Sequence, residues 1–163
     1  MTPRRLPNLV GFALCAALLA YALYAQFYQH IEPCPLCILQ RVGMAATGVL
    51  FLVAALHNPH RAGRMVYGVL IALAALTTAA IAGRHLYVQH LPPGSIPSCG
   101  APLGVMLKFS PFFQVIKKVL MGSGECGIVN WRFLGLAMPT WVLLWSLALA
   151  ALGLRANLRR TAA

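Results

Sequence analysis

The sequence predicts an all-α integral membrane protein, a four-transmembrane-helix bundle with one short and one long loop on its non-cytoplasmic side. The long loop carries a short amphipathic surface helix. Three observations predict this. The 163 residues are 60% hydrophobic and only 9% charged, which a water-soluble globule does not tolerate. Four apolar segments, about 9–27, 38–56, 65–86 and 133–154, are each long enough to cross a hydrocarbon core of about 30 Å as a helix. Basic residues cluster just outside these segments, in the pattern of loops retained in the cytoplasm during insertion.

The clusters set the orientation. Arg4 and Arg5 precede the first segment, Arg61 and Arg64 separate the second from the third, and Arg155, Arg159 and Arg160 follow the fourth. Both termini and the connection near 57–64 are therefore expected in the cytoplasm, and loops of about 28–37 and 87–132 on the other side. Lys108, Lys117 and Lys118 in the long loop do not reverse this, because long translocated segments count little toward topology. Only Glu32 and Glu125 oppose thirteen Lys and Arg, but the resulting charge of +11 reads as topology, with anionic membrane lipid rather than nucleic acid as its partner. The first segment is read as a span and not a cleaved signal peptide, since its apolar run is too long and three spans follow. No internal repeat is visible, and residues 1–163 form one membrane domain.

Four of the five cysteines, Cys34, Cys37, Cys99 and Cys126, fall in the two outer loops, where disulfides are permitted. Cys15 lies inside the first span and is expected to be inert packing. Cys34-Pro35-Leu36-Cys37 is a Cys-x-x-Cys motif at the start of the second span. Pro33 disfavours helix before it and Pro35 suits a first helical position, so Cys34 is expected at the N-cap and Cys37 in the first turn. Both sulfurs then sit at the positive end of a helix, which favours the thiolate that attacks and leaves in exchange. Ile38 after Cys37 excludes haem attachment. Zinc needs four converging ligands, and no His stands at ligand spacing from Cys99 or Cys126, so no metal is expected. A disulfide across Cys34 and Cys37 closes too small a loop to be a useful staple, whereas on loop length alone Cys99 with Cys126 fits a structural staple better than a redox pair.

Arg41 lies one turn inside an apolar helix, four residues from Cys37 and on its face. It is either a snorkelling anchor or a stabiliser of a thiolate beside it. Arg84, His85 and Gln89 mark the exit of the third span; His85 and Gln89 share a face and either trim the interface or donate to a bound carbonyl group at the depth of Arg41. In the long loop, Ser110-Pro111 resembles a helix start and Gly122 a stop. Between them Phe112, Phe113, Ile116, Val119 and Leu120 oppose Gln114, Lys117 and Lys118, which fits a helix lying on the membrane surface or one covering the bundle top.

Taken together, Cys34-Pro35-Leu36-Cys37 with Gln40-Arg41, Gly83-Arg84-His85 with Gln89 and Leu91-Pro92, Cys99-Gly100, Gly124-Glu125-Cys126, and Phe133-Leu134-Gly135-Leu136 with Met138-Pro139 and Trp141 resemble the disulfide-bond formation protein B (DsbB) family. The match runs in order over nearly the whole chain. The resemblance implies a multi-pass protein of the bacterial inner membrane with periplasmic redox loops. It implies a protein-dithiol:quinone oxidoreductase that reoxidises a periplasmic thioredoxin-like thiol oxidase, DsbA-like, and reduces ubiquinone or menaquinone, the relay known to keep the periplasm oxidising. By the same resemblance Cys99 receives the partner's attack, Cys126 resolves internally, Cys34 exchanges with Cys126, and Cys37 faces the quinone with Arg41 and His85 beside it. Gln89 shares the face of His85 and is a candidate donor to a quinone carbonyl. Where the family commonly has an acid before the arginine, this chain has Gln40.

The Pro-rich stretch from Pro92 to Pro97 lacks donors and resists helix, so Cys99 is expected on an extended segment suited to a thioredoxin-like groove. Gly122, Gly124 and Gly127 give Cys126 the mobility to swing toward Cys34. Two other readings compete: a relay that imports reducing power, which wants cysteines within the spans, and a disulfide-stapled scaffold without turnover.

Overall fold

The computed structural model describes residues 5–59, 61–92, 108, 111–122, 124–127, 129 and 131–158. Four long helices, each apolar enough to span a membrane, make up the bundle: α1 (Arg5–Tyr28), α2 (Pro35–His57), α3 (Arg61–Gln89) and α5 (Met138–Leu158). A shorter helix, α4 (Phe112–Met121), and a 3₁₀ turn over Gly124–Gly127 lie between α3 and α5. Cys99, most of the Pro-rich stretch before it and Ser110 lie outside the described residues.

The helices pack through small residues, as expected where lipid supplies no hydrophobic drive between them and close backbone approach must supply contact instead. The ring of Phe51 lies against Gly11, where an added Cβ would sit 2.6 Å from it. Ile71 lies likewise against Gly153. Around these contacts Met44, Ala54, Ala75, Leu149 and Ala150 complete the mid-bundle core, together with a fully buried Cys15, which packs there as an apolar side chain.

At the end of the bundle where α1 begins and α5 ends, Asn8 of α1 and Asn157 of α5 are buried and exchange side-chain hydrogen bonds of 3.4 and 3.1 Å. The Asn157 amide also donates to the Gly153 carbonyl at 2.9 Å, and Arg64 of α3 donates to the Asn157 carbonyl at 3.3 Å. This polar clamp ties three spans at one level.

The fourth span starts later than its apolar run suggests. Residues 132–137 are a two-stranded hairpin, β1 (Arg132–Phe133) pairing antiparallel with β2 (Leu136–Ala137), and α5 begins only at Met138. Both central turn residues, Leu134 and Gly135, have positive φ (51° and 79°), as a tight primed hairpin turn requires. Pro139 then sits in the first turn of α5, where its missing N–H costs nothing. Hydropathy cannot separate an apolar hairpin from a helix end, so the sequence merged them.

Helix α4 packs across the opposite end of the bundle from the clamp. Val115 and Val119 are buried there, while Phe113 is 79% exposed and Met121 points outward. Arg84 of α3 caps it, donating to the carbonyls of Leu120 at 3.0 Å and Met121 at 3.2 Å, groups with no partner inside their own helix. Gly122 ends it at φ 88°, ψ 151°, a conformation that only glycine adopts freely, and a Cβ there would meet Val88 at 3.0 Å.

Candidate functional site

The site is built on the first turn of α2. Cys34 is the N-cap, in extended conformation, and its sulfur accepts the Cys37 backbone N–H at 3.4 Å; Pro35 follows in the first turn. The backbone N–H of Ile38 closes the turn onto the Cys34 carbonyl at 3.1 Å. This cap brings the two sulfurs to 3.3 Å, unbonded, at the helix end where backbone N–H groups and the helix dipole favour negative charge.

His85 of α3 stands over the pair. Its Nε2 is 3.8 Å from the Cys34 sulfur and its Nδ1 is 3.9 Å from the Cys37 sulfur. Nε2 also lies 3.1 Å from the Cys126 backbone carbonyl, and Nδ1 lies 3.0 Å from the Gln40 side-chain nitrogen. A carbonyl only accepts, so in the neutral ring this network assigns the proton to Nε2 and leaves Nδ1 to accept from the Gln40 amide. Gln40, noted in the sequence only for replacing an acid, thus holds the imidazole. His85, Gln40 and Cys126 are all buried.

Cys126 sits in the 3₁₀ turn at 1% exposure, in one apolar cluster with Cys34, Leu36, Val88, Val115 and Val119. The sequence led us to expect a cysteine on a swinging glycine-rich segment. The structure has it docked against Cys34, with α4 as its cover.

Two cavities flank the dithiol, and Cys37 borders both. The larger, about 410 Å³, opens between α1, α2 and α5 and is lined by Cys37, Gln40 and Arg41. Its walls are otherwise apolar and aromatic, notably Leu18, Trp131, Trp141 and Trp145. Trp131 meets Tyr21 edge-on at 6.0 Å and stacks on Phe133 at 6.0 Å. Trp141 donates to the Phe133 carbonyl at 3.2 Å, so the hairpin serves as a frame for this wall. The smaller cavity, about 60 Å³, is lined by Cys34, Cys37, His85 and Gln89, with Glu32 at its edge.

Arg41 does not reach along its own helix toward Cys37. Its guanidinium turns across to α1, where it donates to the Gln26 side-chain oxygen and, at 3.0 Å, to the Ala22 carbonyl. His85 and Gln89 border the smaller cavity and not the larger. The structure therefore separates the polar residues that the sequence grouped at one depth: Arg41 on one side of the dithiol, His85 and Gln89 on the other. Gln26 and the tryptophan wall were missed, since a glutamine near a span end and scattered aromatics carry no pattern of their own.

The family model for "Disulfide bond formation protein DsbB" matches residues 4–156. The chain belongs to the DsbB family. A disulfide bond formation protein B of Xanthomonas oryzae pv. oryzae (strain MAFF 311018) is 48% identical over 152 residues, covering 93% of this chain and 88% of its own length. Proteins of the same description from Xanthomonas axonopodis pv. citri (49% over 152 residues) and Xylella fastidiosa strain 9a5c (49% over 147 residues, 90% of this chain and 85% of the relative) are similarly close. DsbB membership and four spanning helices make this a multi-pass membrane oxidoreductase of disulfide bond formation.

Proposed function

We propose that this chain is a dithiol:quinone oxidoreductase of the bacterial inner membrane, with both termini cytoplasmic, that reoxidises a DsbA-like periplasmic thiol oxidase. The observation that carries this reading is the position of Cys37, whose side chain borders the apolar chamber of about 410 Å³ while its sulfur lies 3.3 Å from that of Cys34. Chambers of this size suit a flat, largely apolar ligand held by few polar groups, and Arg41 and Gln40 are the polar groups available. They would hold the quinone, which when bound accepts two electrons and two protons as the Cys34–Cys37 disulfide re-forms.

The chain's own steps are thiol exchanges. The partner thiolate attacks Cys99 and displaces Cys126 as thiolate. Cys126, packed against Cys34, attacks that sulfur and releases Cys37 as thiolate into the chamber wall. The partner's second thiolate then frees Cys99, which attacks Cys126 in its bond to Cys34, and the Cys34–Cys37 dithiol is left reduced. His85 lies close enough to both sulfurs to take or return the exchanged proton, with Gln40 fixing its ring. The N-terminus of α2 favours the Cys37 and Cys34 thiolates as they leave.

Purified protein mixed with a reduced thioredoxin-like partner should consume ubiquinone or menaquinone with one disulfide formed per quinone. Absence of quinone reduction with either would leave a stapled scaffold, and electron flow from the membrane toward the partner would leave a reducing relay.

A further inference from the structure

The Cys34 and Cys37 sulfurs and a ring nitrogen of His85 all lie within 4.8 Å of one another. The sulfurs are 3.3 Å apart, the Cys34 sulfur is 3.8 Å from Nε2 and the Cys37 sulfur is 3.9 Å from Nδ1. Tetrahedral zinc, with Zn–S of about 2.3 Å and Zn–N of about 2.0 Å, asks for ligand atoms roughly 3.5–3.8 Å apart. A single ring nitrogen has to serve both sulfurs, and with one ligand atom per residue the three lie within 4.8 Å of one another, so the donors close by up to about 1.3 Å to meet the ion. In the sequence, zinc was discounted because no His stood at ligand spacing from the loop cysteines; α3 supplies the His through the fold.

We propose that the reduced Cys34–Cys37 pair and His85 form a binding site for a thiophilic divalent d10 cation, zinc or cadmium, and that oxidation of the pair abolishes it. Binding exchanges two thiol protons for the cation, with no electron transfer. Two thiolates then balance the divalent charge, which matters in a buried site where an uncompensated charge is costly. With Nδ1 as the ligand, the Nε2–H keeps the Cys126 carbonyl as the acceptor already in place. Such outer partners are what orient a metal-binding imidazole. The cavity of about 60 Å³ touches all three donors, offers the fourth position to a solvent molecule, and has Glu32 on its wall to favour an arriving cation. In the disulfide neither sulfur is a thiolate, and the thiolate is the ligand. A bound ion therefore holds the pair reduced and withholds both sulfurs from exchange, whatever the final electron acceptor.

The test is an anaerobic cadmium titration of the full chain in lipid nanodiscs, read by the sulfur-to-cadmium charge-transfer absorption and by zinc competition. The reduced protein should bind one ion, and the protein with the pair oxidised none. Cys34→Ser and Cys37→Ser should each abolish the signal, and Cys126→Ser should leave it. His85→Ala should weaken binding by more than the ~10–100-fold that loss of an outer partner costs. His85→Cys should restore it, with absorption rising toward that of three sulfur ligands, which also covers the case in which the alanine variant folds poorly. No ion bound by the reduced protein, a signal that survives Cys34→Ser, or His85→Cys binding no better than His85→Ala overturns the proposal.

Discussion

The ring of His85 joins two segments that hold different cysteines: Nε2 is 3.1 Å from the Cys126 carbonyl while Nδ1 lies 3.9 Å from the Cys37 sulfur. One side chain on α3 thereby keeps the 3₁₀ turn seated on the N-terminus of α2. His85→Leu leaves the Cys126 carbonyl and the Gln40 amide without this partner, at a cost of about 1–3 kcal/mol for each buried group left unmatched. We expect lower thermal stability and faster backbone hydrogen exchange at Cys126. A turn as protected as in the wild type would show that packing from Val115 and Val119 suffices without the imidazole.

Arg41 and Gln26 should act as a unit. Under the proposed function Arg41→Ala raises the KM for quinone while the KM for the thiol partner stays put, because the guanidinium borders only the larger of the two cavities beside Cys37. Gln26→Leu removes the acceptor that turns the guanidinium toward α1, and should produce the same change by about 10-fold or more, the worth of a hydrogen bond to a charged group. Gln26→Glu keeps an acceptor and should restore the wild-type value. Equal changes in both KM values would return Arg41 to a snorkelling anchor.

The order of exchange can be trapped. A partner lacking its own second cysteine, added to the protein with both pairs oxidised, should break the Cys99–Cys126 bond and accumulate as a mixed disulfide on Cys99 with Cys126 as the leaving thiolate, seen by non-reducing electrophoresis with peptide mapping. Capture on Cys34 or Cys37 instead would reverse the assigned direction of electron flow.

Gly122→Ala should loosen the cover over the cysteines. A non-glycine residue at φ 88°, ψ 151° is strained by about 1–3 kcal/mol, and the new methyl meets Val88. Limited proteolysis within 112–121 should accelerate, and Cys126 should become more reactive to alkylation. Unchanged labelling would mean that α4 is held mainly by Arg84.

Asn157→Leu should cost about 0.5–2 kcal/mol, the range for hydrogen bonds between membrane helices, and leave both KM values unchanged because the clamp lies at the far end of the bundle. A change in either KM would show that the clamp sets the geometry around the dithiol.

What the sequence could express was whatever depends on local order. The Cys34 cap and Pro35 at the start of α2 are properties of a few consecutive residues, and the four spans are properties of composition over about 20. Cys15 was legible as packing for the same reason. The hairpin at 132–137 was not, since two two-residue strands leave no periodicity and their apolar residues continue the run into α5. Nor were the pairings of Gln40 with His85, Arg41 with Gln26 and Arg84 with the end of α4, each of which depends on how helices far apart in sequence rotate against one another. Which residues stand near the same end of their helices was readable from position, but the side of the dithiol on which a residue falls was not.

The bond between Asn8 and Asn157 joins residues 149 positions apart. During synthesis, α1 leaves the ribosome long before its partner amide exists, and it must wait in lipid with an uncoupled side chain, a state that favours temporary companions. The clamp can close only when the last span has been inserted and turned to face the first. Closure of this longest loop therefore belongs to the end of assembly, and a chain truncated within α5 should keep its dithiol turn yet fail to register its outermost helices.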